Sequence, residues 1–279
     1  MRYALFAALA VACTTPSTSA IRTSASERSP NAAPRFAAHA HNDYEHARPL
    51  LDALDAGFRS VEADVYYAGG RLAVSHDGLT SKGTLESLYL APLQERIAAH
   101  HGSVFGDGKP FRLVIDLKDA DDKLPAAIDT VFARYPMLSR FVGGTYVRGP
   151  VEIVFTGNEA MKRAVVSRTC WGTRDSNVFS TNESVLDTRW SDYALDWKQC
   201  VDWDGTGAMP DDEQRTLAYL VGYAHALHRK IRIYDAPDRP SVWAAECAAG
   251  VDFIGTNDLA GLSQFLKTRL ARTLEPRGG

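Results

Sequence analysis

Two carboxylates stand two residues apart inside an apolar run, an arrangement that can hold a metal ion. Glu62 and Asp64 alternate there with Val61, Ala63 and Val65. Because successive side chains of a β-strand point to opposite faces, the two carboxylates project from the same face. Buried acids side by side repel each other unless a cation lies between them, and oxygen ligands suit Mg²⁺ or Ca²⁺. The pattern therefore predicts a divalent metal site, with an exposed strand of alternating acids as the alternative.

The same spacing recurs in a second apolar run, where Asp116 and Lys118 share one face of a predicted strand. Asp116 could supply a third ligand to the metal, and the Lys118 ammonium could bind the negative charge of a phosphate. A surface ion pair at the end of a strand is the alternative interpretation of this segment.

Histidines follow two other strand-like runs. His39 and His41 close the first run of the chain, and His76 closes a later one. Histidine titrates near neutral pH, so a pair can accept a proton from an attacking oxygen and donate one to a leaving oxygen. One histidine at a strand end is usually structural, but two of them beside acids at two further strand ends indicate catalysis.

Strand-like and helical patterns alternate along most of the chain. The strand-like runs cover residues 35–40, 60–67, 72–76, 111–117, 151–155, 231–234 and 252–255. The helical patterns cover residues 49–56, 85–100, 124–135, 211–227 and 242–249, and a last one begins at Leu259. This alternation predicts an α/β fold with parallel strands, either a closed barrel or a doubly wound sheet. The clustering of polar residues at several strand ends favours a TIM-type (β/α)8 barrel, although residues 163–204 give no clear pattern.

These motifs together resemble a known superfamily. Gly57 precedes Glu62 by five residues, His76 follows Glu62 by fourteen, and Asp116-Leu-Lys118 lies about forty residues beyond His76. The combination is similar to glycerophosphodiester phosphodiesterases, phosphatidylinositol-specific phospholipases C and sphingomyelinases D. The Asp-x-Lys form is more similar to the sphingomyelinase D pattern than to the Glu-x-Lys of glycerophosphodiesterases.

Within that superfamily, the chain most resembles the group named for altered inheritance of mitochondria protein 6. The resemblance rests on residues 39–44 (His-Ala-His-Asn-Asp-Tyr) and on three later segments, 155–158, 232–238 and 250–258. It extends over about residues 37 to 268.

The resemblance implies the fold of the phospholipase-C-like phosphodiesterases and a metal-dependent phosphodiester hydrolase of lipid metabolism. It assigns His41 and His76 as the acid–base pair, with His39 and Lys118 also lining the site. It assigns the metal, Mg²⁺ or Ca²⁺, to three carboxylates, Glu62, Asp64 and Asp116. Two features depart from the wider pattern: the His-Arg-Gly of glycerophosphodiesterases is absent, and Asn257 stands where an aspartate is usual.

Two other functions fit parts of the sequence. His39-x-His41 also matches the opening metal ligands of amidohydrolases, but those sites need further histidines at later strand ends. A catalytically silent binding lipoprotein is the alternative that is not an enzyme, and in it the loss of metal would leave ligand affinity unchanged.

Composition restricts the partners. The 279 residues carry a net charge of −3 and contain no long run of Lys or Arg, which argues against nucleic acid. We expect a monomer with one catalytic domain that acts on a small phosphodiester or phospholipid. The membrane enters only through a lipid substrate or a lipid anchor.

The N-terminal residues have the features of an export signal. Residues 1–20 contain Arg2, a short apolar run and small residues near Ala20, and Cys13 offers an alternative lipoprotein cleavage site. We therefore predict a signal over 1–20, a tether over 21–34, a barrel domain over 35–270 and a tail over 271–279. The predicted location is exported, whether periplasmic, secreted or anchored as a lipoprotein, where Cys170 and Cys200 could form a disulfide.

Overall fold

A ring of parallel strands forms the centre of the computed structural model, which describes residues 36–179 and 184–274. The strands in these residues are β1 (Phe36–Ala40), β2 (Phe58–Ala68), β3 (Arg71–Val74), β4 (Gly83–Thr84), β5 (Phe111–Leu117), β6 (Arg140–Val142), β7 (Thr145–Val147), β8 (Val151–Gly157), β9 (Thr173–Ser176), β10 (Trp190–Asp196), β11 (Lys230–Tyr234) and β12 (Phe253–Thr256). Eight of these pair in parallel in the order β1-β2-β5-β8-β9-β10-β11-β12, and β12 pairs again with β1. The sheet is therefore a closed eight-stranded parallel barrel, which confirms the predicted fold class.

Helices follow the barrel strands and cover their outer faces. They are α1 (Leu51–Ala56), α2 (Ala91–Ala99), α3 (Leu124–Phe132), α4 (Glu159–Arg168), α5 (Trp197–Cys200), α6 (Asp211–Ala226), α7 (Pro240–Ala249) and α8 (Leu259–Leu274). Local signals set their ends: Asn158 caps α4 by accepting the backbone N–H of Met161 at 3.0 Å, and Pro240 begins α7.

The pleat of β2 separates apolar from acidic side chains. Val61, Ala63 and Val65 are fully buried in the core, while Glu62 and Asp64 lie on the opposite face, inside the barrel. The parallel register pairs Asp64 with Asp116 of β5, so both strands bring a carboxylate to the same level. The barrel interior therefore holds charged side chains at its carboxyl end, where barrel enzymes carry their sites.

A hairpin replaces the parallel strand that the sequence predicted over residues 72–76. Strand β2 continues beyond the barrel to Ala68, and Gly69 and Gly70 turn the chain with positive φ. Strand β3 then returns antiparallel along β2, with Val74 opposite Val65. The hairpin brings His76 back to the barrel mouth.

A buried carboxyl fixes the loop between β1 and α1. Asp43 is fully buried, and its Oδ2 accepts hydrogen bonds from the backbone N–H of Leu50 and from the Tyr89 hydroxyl. Burial raises the pKa of Asp43 to about 7 in spite of these donors.

We expect this carboxyl to make folding stability depend on pH. Because the pKa of Asp43 is higher in the folded protein than in the unfolded chain, the folded state binds the proton more tightly. The contribution of Asp43 to the unfolding free energy should therefore be greatest below about pH 4 and fall as the pH rises through 7, by roughly 4 kcal/mol at most. Urea titrations between pH 4 and 8 measure the total fall, to which the raised pKa values of Asp64 and Asp116 also contribute. Asp43→Asn should make the fall smaller by the Asp43 share, and an equally steep fall in that variant would contradict the assignment.

Three cysteines lie in the described residues, and all are free. The predicted Cys170–Cys200 disulfide is therefore wrong. The two residues pack against different core clusters: Cys170 packs against the one that contains Phe132, and Cys200 packs against the one that contains Trp197. The predicted leader and tether, residues 1–34, and the residues after 274 lie outside the described part of the chain. No helix within that part is long and apolar enough to cross a bilayer.

Candidate functional site

Three carboxylates converge at the carboxyl ends of β2 and β5. Glu62, Asp64 and Asp116 each place an oxygen within 4.8 Å of the others, and they form the one group of this kind among the described residues. Glu62 and Asp64 are buried, and Asp116 is half-buried. The structure thus brings together the three side chains that the sequence suggested as metal ligands.

Two oxygens of this carboxylate cluster have neither a hydrogen bond nor an ion pair among the described residues. They are the buried Asp64 Oδ1 and Asp116 Oδ1, whereas Asp64 Oδ2 also lacks a hydrogen bond but lies 3.0 Å from Lys118 Nζ and 3.4 Å from His76 Nδ1. Burial and the neighbouring Asp116 raise the pKa of Asp64 to about 6, and burial with Glu62 raises the pKa of Asp116. Unpaired buried acceptors are costly, and a hard cation would satisfy both. The donor set therefore fits a divalent metal.

The Lys118 ammonium already neutralises part of this negative charge. Its Nζ lies 2.7 Å from Asp116 Oδ2 and 3.0 Å from Asp64 Oδ2. Burial alone would lower the pKa of Lys118, but these two carboxylates outweigh it and raise that pKa above its usual value. Lys118 is therefore a permanent cation at the edge of the cluster.

His39 lies beneath the cluster, and both ring nitrogens have partners. Its Nδ1 is 2.8 Å from Ser60 Oγ, and its Nε2 is 2.8 Å from Glu62 Oε2. Burial lowers the pKa of His39 to about 4, so the neutral ring donates from Nε2 to Glu62 and accepts from Ser60. His39 therefore orients the carboxylate of Glu62. His41 lies nearer to solvent, and this position favours His41 over His39 as the histidine that transfers protons.

His41 and His76 are both anchored through Nδ1. The Nδ1 of His41 lies 3.0 Å from Asn257 Oδ1, and that of His76 lies 3.0 Å from the Tyr44 hydroxyl. Since Tyr44 donates its own proton to Asn42 Oδ1 at 3.0 Å, it accepts from His76. No described residue bonds to either Nε2, which leaves both Nε2 atoms available to a substrate.

A chain of buried ions supports the cluster from below. Arg232 Nη1 lies 3.3 Å from Glu62 Oε2, and its Nη2 lies 3.8 Å from Asp175 Oδ2. The fully buried Lys162 of α4 donates to Asp175 Oδ1 at 2.8 Å. Burial would raise the pKa of Glu62, but Arg232 and His39 hold it well below its usual value. The sequence analysis missed Asp175 and Lys162, because β9 has no apolar alternation.

Gly157 ends β8 directly beside the cluster. Its φ is +88°, and a Cβ there would collide with Asp116 Oδ1 and lie 2.8 Å from the carbonyl oxygen of Leu117. Any larger residue would displace a proposed ligand.

Gly157→Ala is expected to destabilise the protein by about 2–5 kcal/mol. The positive φ alone costs about 1–2 kcal/mol, and the clash adds about 1–3 kcal/mol. Gly144→Ala is the matched control, because Gly144 has a φ of +81° but open space around it. Denaturant titrations of both variants measure the difference. Equal losses in the two variants would show that crowding at Asp116 has no effect.

The closed parallel barrel carries a carboxylate cluster and two histidines at its carboxyl end, and the family comparison gives the class of domain to which it belongs. Residues 30–175 match the model of the AIM6-like phosphodiesterase domain. The chain therefore belongs to that family.

Curated relatives carry the same family name. Altered inheritance of mitochondria protein 6 of Kluyveromyces lactis is 25% identical over 302 residues, which span 81% of this chain and 71% of that protein. The protein of the same name from Eremothecium gossypii is 26% identical over 267 residues, which span 81% of this chain and 68% of that protein.

Solved structures support the fold at low identity. A glycerophosphodiester phosphodiesterase from Parabacteroides distasonis superimposes with a TM-score of 0.52 and 15% identity, covering 86% of this chain and 98% of that one. An Oleispira antarctica phosphodiesterase, solved with its product sn-glycerol-3-phosphate, gives a TM-score of 0.50 and 16% identity over 82% of this chain and 96% of that one.

The relatives correct the predicted location. Those of Kluyveromyces lactis and Saccharomyces cerevisiae carry a name that refers to the inheritance of mitochondria and not to export. The prediction of a periplasmic, secreted or lipid-anchored protein is therefore wrong on this comparison.

Proposed function

We propose that this chain is an active phosphodiesterase that cleaves a small phosphodiester or phospholipid with the help of a divalent cation. One observation carries the proposal: the buried carboxylate cluster has two unpaired oxygens and lies beside two histidines with available Nε2 atoms. A structural cluster would need neither the unpaired acceptors nor the anchored histidines.

Glu62, Asp64 and Asp116 would hold the cation, Mg²⁺ or Ca²⁺. When bound, it would polarise a phosphoryl oxygen and neutralise developing negative charge. The charges around it favour this substrate class. The three carboxylates, Lys118 and Arg232 together leave one negative charge, so a divalent ion gives the site one positive charge to meet a phosphodiester monoanion.

His41 and His76 supply the proton transfers. The Asn257 amide oxygen holds the Nδ1–H of His41, and the Tyr44 hydroxyl holds that of His76, so each ring presents Nε2. One ring accepts the proton of the nucleophile, and the other donates a proton to the leaving alcohol. The nucleophile is either water or a neighbouring hydroxyl of the substrate, which would give a cyclic phosphate.

Lys118 is placed to contact the phosphate. Its ammonium lies at the outer edge of the cluster and is partly exposed, whereas Arg232 is held deeper by Glu62 and Asp175. A diester oxygen entering beside the metal would therefore meet Lys118 first. His39 and Arg232 then serve to fix the carboxylate of Glu62.

A ³¹P NMR screen tests the proposal. Glycerophosphocholine, lysophosphatidylcholine, phosphatidylinositol and an activated bis-aryl phosphate would each be incubated with Mg²⁺ or Ca²⁺. We expect at least one diester signal to be replaced by a phosphomonoester or cyclic phosphate signal, and no conversion by His76→Ala. Conversion of no diester with either cation, or full conversion by that variant, would refute the proposal.

A further inference from the structure

A groove of about 890 Å³ runs between α7 and α8 on the outside of the barrel, and none of the three carboxylates of the cluster lines it. Trp243 and Phe265 both line it, and the two rings lie 5.7 Å apart at an angle of 54°. Trp243 is almost wholly buried, so it reaches the groove only with an edge, whereas Phe265 is half-buried and offers the larger apolar surface. Ala244 and Gly261 line the groove without long side chains.

The residues that line the groove form one stripe of α8. They recur at the three- and four-residue spacing of one helix face: Gly261, Gln264, Phe265, Thr268, Arg269, Arg272 and Thr273. On α7 only the first turns contribute, through Pro240, Trp243 and Ala244. The upper part of the groove thus lies between α7 and α8, whereas only α8 lines its lower part. By helix rise, the stripe is about 18 Å long.

The two ends of the groove have opposite charge. Arg269 and Arg272 lie at the lower end on one face of α8, are exposed, and form no ion pair with any residue of the described chain. Asp238 and Asp258 lie at the upper end, and both are held by hydrogen bonds to neighbouring residues. An anion would therefore be attracted to the lower end and repelled from the upper one.

We propose that this groove binds a single-chain amphiphile with an anionic head group. The acyl chain lies against Phe265 and the exposed edge of Trp243, and the head group meets the paired guanidinium groups of Arg269 and Arg272, which suit carboxylate or phosphate oxygens. The acidic upper end fixes this orientation. The groove shares no lining residue with the carboxylate cluster, although Asp238 at its upper end accepts the backbone N–H of Asn257. Binding here does not require the proposed catalysis, so neither proposal depends on the other.

Tryptophan quenching by 9,10-dibromostearate tests the proposal on the full chain. Bromine quenches tryptophan on contact, and four of the five tryptophans do not line this groove: Trp171, Trp190, Trp197 and Trp203. Below the micelle concentration, we expect saturable quenching that Trp243→Phe abolishes. Absence of saturable quenching, or the same quenching in that variant, would overturn the proposal.

Charge variants test the head-group contact. Arg269→Gln combined with Arg272→Gln is expected to raise the Kd of the probe about tenfold or more. Lys267→Gln is the matched control, because Lys267 is an exposed cation on α8 that does not line this groove, and its Kd should stay within about twofold. An unchanged Kd in the double arginine variant would contradict the proposed head-group site.

Competition by unlabelled lipids distinguishes the sources of the anion. Stearate and stearoyl lysophosphatidate are both expected to displace the probe, and the tighter of the two identifies the head group. The uncharged monostearoylglycerol should compete at least tenfold more weakly, and equal competition by it would overturn the role of the arginines.

Discussion

His41→Ala is expected to lower the rate of phosphodiester cleavage by about 10²–10⁴-fold. A positioned general acid or base contributes about this factor, and the His41 ring is fixed by its hydrogen bond to Asn257 at 3.0 Å. Substrate binding should change little, because in the proposed mechanism the metal and Lys118, and not His41, would hold the phosphate. The expected effect is therefore a fall in kcat with a nearly constant KM, measured by steady-state kinetics.

His46→Ala provides the matched control for this prediction. His46 lies on the same loop, and the structure gives it no contact with the carboxylate cluster, so its replacement should leave kcat within about twofold. Asn257→Ala should give an intermediate loss, roughly tenfold, because the His41 ring loses its orientation but not its chemistry. Retention of more than about a tenth of the wild-type kcat in His41→Ala would exclude His41 from proton transfer.

Asp116→Asn is expected to weaken divalent-cation binding by about 100-fold or more. The substitution removes one of three negative charges and leaves an amide whose nitrogen cannot bind a metal. The Lys118 ammonium, now paired with Asp64 alone, would further favour the metal-free state. Isothermal titration calorimetry with Ca²⁺ and with Mg²⁺ measures the change directly, without reference to activity.

Asp122→Asn is the control for charge removal near the site. Asp122 is exposed in the loop that follows β5 and has no hydrogen bond from the described residues. Its replacement should alter the Kd of either cation by less than about twofold. An equal rise in the Kd of the cation for Asp116→Asn and Asp122→Asn would mean that binding depends on the overall charge of the protein and not on Asp116 as a ligand.

The sequence predicted the site where a regular pattern and local chemistry agree. In β2 the alternation of apolar and acidic residues placed Glu62 and Asp64 on one face, and the parallel register with β5 adds Asp116 at the same level. These residues can be recognised from their spacing within each segment, without knowledge of contacts between distant parts of the chain. For this reason the carboxylate cluster was the part of the site most accessible from sequence.

Two parts of the fold could not be predicted because long-range partners determine them. Strand β9 reads Thr-Arg-Asp-Ser and is entirely buried, since Asp175 pairs inside the barrel with Lys162 and Arg174 pairs with Asp187. A polar strand of this kind gives no periodic signal. Likewise, the apolar run before His76 was predicted as parallel, although the glycine turn makes it a returning hairpin.

The separate roles of His39 and His41 could not be predicted from the sequence either. His39 and His41 lie two residues apart and share a face, so spacing alone could not separate their roles. Burial separates them: His39 is fully enclosed between Ser60 and Glu62, whereas His41 reaches toward Asn257 at the barrel mouth. The amidohydrolase alternative loses support as well, because the described residues contain no histidine-bearing metal cluster.

A metal add-back titration tests most directly whether a cation held by the carboxylate cluster is needed for phosphodiester cleavage. Protein stripped with a chelator would be assayed on the diester that the NMR screen identifies, with Mg²⁺ or Ca²⁺ then added stepwise. We expect a rate at least about 100-fold lower in the stripped protein, restored with one saturable transition in the wild type and not in Asp116→Asn. Equal rates with and without the cation, or full restoration in that variant, would contradict the proposed mechanism.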